Sequence, residues 1–347
     1  MTRLTVFTPL LPSAVAIGTL CASAATAEAD AYKQTDLVSN ISGLATLTDP
    51  RLINPWGVSF IGPTPVSGPF WIADQGTNAA TLYAVTGATT VSKVDINPPS
   101  GFVGIPTISG PLNGPTGQAS NTGSSFVVGS GANAKPADFI FANLNGTISA
   151  WNGGPSATTE RTTTGAVYTG LAMNQAQTEL YAANAAAGAI DVFNGSFTPI
   201  ASPFTTPSPI AADGFVPFNV EDIGASVYVT YALPGHAAET TATAGQGAVA
   251  VFSESGVLEK TIVGGPLASP WGVTLAPASF GRFGGDLLID NFSYADSVIN
   301  AFNPATGAFV GSIAIDPGAG QSAGGLWDLT FSAGGKDGWR YHCKLDP

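Results

Sequence analysis

Ser269-Pro270-Trp271-Gly272-Val273-Thr274-Leu275 opens a sentence of short apolar runs, continued by Leu287-Leu288-Ile289-Asp290-Asn291, Val298-Ile299-Asn300-Ala301-Phe302 and Ala308–Ile313. The sentence occurs earlier as Asn54-Pro55-Trp56-Gly57-Val58, then Phe70-Trp71-Ile72-Ala73-Asp74, then Ala80-Thr81-Leu82-Tyr83. Weaker openings stand at Pro115-Thr116-Gly117-Gln118, Tyr168-Thr169-Gly170-Leu171 and Pro217-Phe218-Asn219-Val220, and a sixth at Gly325-Leu326-Trp327-Asp328-Leu329. From Trp56 to Trp327 there are five steps of about 54 residues, the size of a four-stranded unit with generous loops. Each run is short, rich in β-branched and aromatic residues, and bounded by Gly, Pro, Asn or Asp, as strands are. No stretch carries a convincing helical period. Four-stranded sheets that cannot cover both faces alone stack around an axis. The expectation is an all-β, six-bladed β-propeller.

Its last blade reads as incomplete. After Leu326–Phe331 the chain has Gly334 to Gly338 and a tail, Trp339–Pro347, too short for three more strands. Asp36-Leu37-Val38-Ser39-Asn40 is placed as the outer strand that closes the ring, which leaves one or two middle strands unassigned. The second unit is given strands at Phe126-Val127-Val128, Asp138–Asn143 and Gly146–Asn152.

Composition narrows the function. The chain has 347 residues, 44% of them hydrophobic and 10% charged, with a net charge of -12. An acidic chain without clustered Lys and Arg does not fit nucleic acid. Arg3, an apolar run from Leu4 to Leu20 and small residues from Ala22 to Ala29 have the form of an export signal, residues 1–29, with cleavage after Ala27 or Ala29. Residues 30–347 are then one exported domain, extracellular or periplasmic, expected to be monomeric and without a membrane span. Cys343 is its one cysteine, so no internal disulfide supports it.

The openings sit where each innermost strand begins, and the Asp or Asn endings sit where each second strand ends. Both belong to one rim of the channel. Trp56, Trp271 and Trp327 from the first set and Asp74, Asn143, Asn184, Asp290 and Asn291 from the second form the candidate binding rim, with Tyr231 at the matching place in blade four. Asp and Asn also cap turns by bonding their own backbone. As oxygen donors they suit calcium. Only His236 and His342 exist, so neither a Ser-His-Asp set nor a His-based zinc site is supported. Glu221 and Asp222 are neighbours on a strand and point to opposite faces.

The phrases around Trp56, Phe139–Trp151, Trp271 and Trp327 are similar to those of a family of secreted propellers with NHL-like repeats, some ending in a PEP-CTERM sorting tail. The resemblance covers roughly Ala31 to Gly338 and implies the six-bladed fold and export, without an established activity. Trp339-Arg340-Tyr341-His342-Cys343 departs from it and fits no blade of that pattern. More distantly the blades look like gluconolactonase and NHL propellers, some of which are metal-dependent lactonases and others binding modules; that resemblance implies Asn143, Asn184 and Asp290 as the candidate metal ligands. The expected function is a non-catalytic propeller that binds an extracellular protein, glycan or small molecule on its rim. The alternative is a calcium-dependent hydrolase of the lactonase type.

Overall fold

Short apolar runs between turn residues become antiparallel strands, and the strands assemble into six blades. A computed structural model describes residues 3–10, 32–62, 68–108, 110–318, 324–331 and 340–344, the last of these by backbone alone. The innermost strands, in blade order, are Pro55–Ser59, Pro115–Ser120, Tyr168–Met173, Val216–Ile223, Pro270–Leu275 and Leu326–Phe331. Each begins a sheet whose strands follow outward in chain order through blades one to five. The two α-helices, Ser208–Ala212 and His236–Thr241, lie in connections.

Two strand assignments change. Val127–Val128 does not join blade two but pairs with Lys135–Pro136 in a separate hairpin, and blade two is built from Pro115–Ser120, Phe139–Asn143, Thr147–Trp151 and Thr158–Thr162. In blade six the order is Leu326–Phe331, Arg340–Lys344, Arg3–Pro9, Tyr32–Ser39, with the two-residue strand Leu47–Thr48 outermost. The middle places left open by the sequence are therefore filled from both ends of the chain, and the tail around Cys343 does belong to a blade. Tyr32–Ser39 overlaps the expected closing strand at Asp36–Ser39, although Leu47–Thr48 and not this strand is outermost.

Arg3–Pro9 is read from sequence as the start of an export signal, and here it pairs with Tyr32–Ser39 on one side and with Arg340–Lys344 on the other. Leu4, Val6 and Phe7 are buried, and the Arg3 guanidinium meets the Asp36 carboxylate at 2.6 Å. The cleavage region, residues 11–31, lies outside the described residues.

One irregularity recurs in all six inner strands and shapes the channel. The pairing runs Pro55↔Asp74 and then Val58↔Ile72, so the inner strand carries one residue more than its neighbour. The same extra residue appears after Pro115, Tyr168, Pro217, Pro270 and Leu326. A β-bulge of this kind bends the strand and re-aims its side chains. Here it sets one position of each blade against the next inner strand: Gly57, Gly117, Gly170, Asn219, Gly272 and Asp328.

Glycine is needed there because backbones touch. A Cβ on Gly117 would lie 2.2 Å from the Leu171 nitrogen, and one on Gly272 would lie 2.4 Å from the Trp327 carbonyl oxygen. At the two exceptions the side chain bridges the gap instead. Asn219 Nδ2 donates to the Trp271 carbonyl at 3.0 Å, and the Val58 N–H donates to Asp328 Oδ2 at 2.6 Å.

Candidate functional site

Strand pairing sets the ends of the second strands beside the starts of the inner strands. The start of each inner strand faces the end of the second strand: Pro55↔Asp74, Pro115↔Asn143, Tyr168↔Asn184, Pro217↔Tyr231 and Pro270↔Asn291. Asp290 stands one residue earlier, level with Ala73, Ala142, Ala183 and Thr230, so it points to the opposite face from Asn291. All nine candidates are buried, at 0–6% exposure. Burial decides what they can do.

The three tryptophans come together as a plug across the axis. Trp56 stacks on Trp327 with ring centroids 3.5 Å apart, and Trp327 meets Trp271 edge-on at 5.5 Å. Phe292 packs on Trp327 at 4.2 Å. The Trp271 indole N–H crosses from blade five to the Thr169 carbonyl of blade three at 2.9 Å. Large aromatic surfaces buried against one another are a main source of packing energy.

The Asp and Asn side chains bond to backbone groups and side chains of their own blade and of the connections beside it. Asn184 Oδ1 accepts from the Val167 and Ala187 N–H groups, while its Nδ2 donates to Asp191. Asn291 Oδ1 accepts from the Ala268 N–H, and its Nδ2 donates to the Pro266 carbonyl. Asn143 Nδ2 donates to the Thr147 carbonyl. The Asp74 carboxylate accepts from the Thr81 hydroxyl at 2.6 Å, and Asp290 Oδ1 accepts the N–H of the bulged Gly272 at 2.8 Å. Tyr231 is buried against Phe215 and Ile210 in the core of blade four.

The calcium expectation depends on free oxygens. Among the proposed ligands, Asn143 Oδ1 is buried without a hydrogen-bond partner among the described residues, but both acceptor sites of Asn184 Oδ1 are taken. Nor do three or more His, Cys, Asp or Glu residues cluster as a metal site among the described residues. Asn143, Asn184 and Asp290 do not fit calcium as a ready set of ligands.

Cavities lie on either side of the plug. The upper one, about 430 Å³, is formed by the rim loops over Trp56. Leu112, Leu144 and Val167 supply its apolar wall, and Gln75, His236 and Glu239 its polar one. Burial pushes the Glu239 carboxyl up to about 7, and His236 Nδ1 stands 3.9 Å from it. The loop residues were not foreseen. A leucine in Gly110-Pro111-Leu112-Asn113 was the visible cue, since it has no apolar neighbour in the chain to pack on.

The lower cavity, also about 430 Å³, is bounded by the ends of the inner strands. Glu221, Asp222 and Asp328 all line it, and Asp222 accepts from the Gln175 amide at 2.8 Å. Among the neighbouring carboxylates, the charge of Asp328 weighs most on Glu221 and raises its cost of ionising. Burial, then the Asp328 charge, holds Glu221 well above the usual carboxylate range, and burial lifts Asp328 to about 7 against the Val58 and Leu329 N–H groups. The cue in sequence was an aspartate at the sixth opening where Trp56 and Trp271 are followed by glycine.

A stability profile follows. Asp74, Glu221, Asp290 and Asp328 are all raised, chiefly by burial, so the folded chain keeps protons that the unfolded chain has released. Stability from these groups is fully present below the ordinary carboxylate range and is lost as pH rises through their folded values. Asp49 acts in the opposite direction: the Lys93 ammonium, the Arg51 N–H and the Tyr83 hydroxyl outweigh the effect of burial and lower it. Its contribution is lost only in stronger acid. Thermal unfolding is expected to be most resistant near pH 4–5 and to lose roughly 2–4 kcal/mol by about pH 8. A melting temperature that rises between those limits would contradict the assignment.

Among the described residues no helix is long and apolar enough to cross a membrane. No family model matches the chain. Two uncharacterized proteins of Acanthamoeba polyphaga mimivirus are similar to it. One is 29% identical over 81% of this chain and 68% of its own length, the other 28% identical over 81% and 74%. Among solved structures, a streptogramin B lyase aligns with TM-score 0.49 and 10% identity, over 85% of this chain and 95% of its own. A catalytically inactive virginiamycin B lyase from Staphylococcus aureus, solved with quinupristin, aligns with TM-score 0.47 and 13% identity, over 90% and 85%. The hydrazine synthase of Kuenenia stuttgartiensis aligns at 0.46 and 13%, over 84% and 74%.

Proposed function

We propose that the chain is an exported, non-catalytic binding propeller that takes the end unit of a glycan in the cavity over Trp56. The cavity itself carries the reading. It is concave and of small-ligand size, with apolar and aromatic surface beside a few convergent polar groups. A flat protein partner has less use for such a hollow, whereas a sugar ring offers an apolar face to Leu112 and Leu144 and hydroxyls to Gln75 and Glu239. The catalytic alternative has weaker support, because Asn184 Oδ1 already accepts two backbone N–H groups and Asp290 Oδ1 accepts the N–H of the bulged Gly272.

A glycan array probed with the purified chain tests this, followed by Ala186→Trp. Ala186 is exposed at the cavity mouth, so the larger side chain blocks access without touching the core. The expected result is saturable binding of a defined glycan class, weakened at least about tenfold by Ala186→Trp and by Glu239→Gln. Binding that ignores both substitutions, or no binding to any glycan, excludes this site.

A further inference from the structure

The lower cavity is lined by carboxyls and, among the described residues, by no cationic side chain. The channel-facing positions at its level are Ser59, Ala119, Ala172, Glu221, Thr274 and Thr330, so small side chains leave the bore open and Glu221 is the one long chain projecting into it. Asp328 stands next to it, 5% exposed, with one oxygen fixed by the Val58 N–H. Gln118 completes the site. It is 6% exposed and lines the cavity, its Nε2 donates to the Trp71 carbonyl, and its Oε1 has no partner among the described residues. A buried amide oxygen without a donor is costly, and native folds rarely keep one without a use.

The described lining includes no Lys, Arg or His, while Glu221, Asp222 and Asp328 contribute carboxyls. A ligand that satisfies this set brings positive charge and several N–H donors. We propose that the lower mouth of the channel binds a primary ammonium group, held between Glu221 and Asp328 and donating to Gln118 Oε1. An organic cation fits better than a bare metal ion for two reasons. Calcium takes six to eight oxygens, and two carboxylates with one amide fall short of that. The volume, about 430 Å³, is that of a small organic ligand. This site lies on the far side of the tryptophan plug and is independent of the glycan reading.

Calorimetric titration of the full chain tests it, with butane-1,4-diammonium as probe at about pH 8 and butane-1,4-diol and calcium chloride as comparisons. One saturable site for the diammonium is expected, with none for the diol. Glu221→Gln keeps the shape of the side chain and should weaken binding at least about tenfold, as the loss of a buried charge partner does. Asp328→Asn should do the same. Because Asp328 also bridges to blade one, Glu221→Gln decides the matter if Asp328→Asn fails to fold. Val257→Ser, at an exposed residue outside both cavities, should leave the affinity unchanged. Acidification toward about pH 5 should weaken binding as Glu221 and Asp328, the facing pair, and the nearby Asp222 take up protons. No diammonium binding, full affinity in Glu221→Gln, or calcium binding in its place overturns the proposal.

Discussion

Gly117→Val is expected to destabilise the ring by about 3 kcal/mol or more, the upper end of what an overpacked position costs. A Cβ at this position would stand 2.2 Å from the Leu171 nitrogen and 2.6 Å from the Gly170 carbonyl carbon. Those are backbone atoms of the next inner strand, so no side-chain rotation relieves the clash. The bulge that sets Gly117 against blade three is shared by all six inner strands, and moving one blade outward opens the contact on both its sides. Gly110→Ala is the control, because its nearest neighbour would be the Leu112 oxygen at 3.9 Å. Urea unfolding of the two variants beside the unsubstituted chain gives the comparison. Equal midpoints would mean that the inner strands can slide apart freely, against the geometry described.

Removal of residues 1–10 should have an effect of similar size. Arg3–Pro9 is a middle strand of blade six, and Leu4, Val6 and Phe7 are buried at 0–1% exposure. Returning three such side chains to water costs on the order of 5 kcal/mol. The loss also strips the Asp36 carboxylate of the Arg3 guanidinium and the Thr5 hydroxyl, and leaves Tyr32–Ser39 and Arg340–Lys344 with unpaired edges. Amide exchange should accelerate most in Tyr32–Ser39 and Leu326–Phe331, with blades two to four changing least. Val6→Asp in the intact chain should reproduce the pattern, since it buries an unpaired charge in the same place. Uniform exchange in the truncated and intact chains would show that this strand does not close the ring. If the export signal expected over residues 1–29 were cleaved, the remaining chain would lack this strand.

Much of this architecture is written in local pattern. Trp56-Gly57, Trp271-Gly272 and Trp327-Asp328 mark inner strands because a bulge needs a small or bridging residue after the aromatic, and alternation along each strand needs only its neighbours. The shared rim of Asn143, Asn184 and Asn291 was legible for the same reason: strand pairing within one hairpin places them. Their burial was not, because it depends on loops from other blades.

What belongs to the closed ring escaped the sequence. The stack of Trp56 on Trp327, the pairing of Glu221 with Asp328 and the place of Arg3–Pro9 between strands from both chain ends join residues far apart in the chain. No periodicity records such meetings. They exist only when six blades close on one axis and force the first to pack against the last. The Trp-Gly phrases were enough to say that a channel would form. Ring closure decided that aromatics would plug it near the upper rim and that two carboxylates would face each other below.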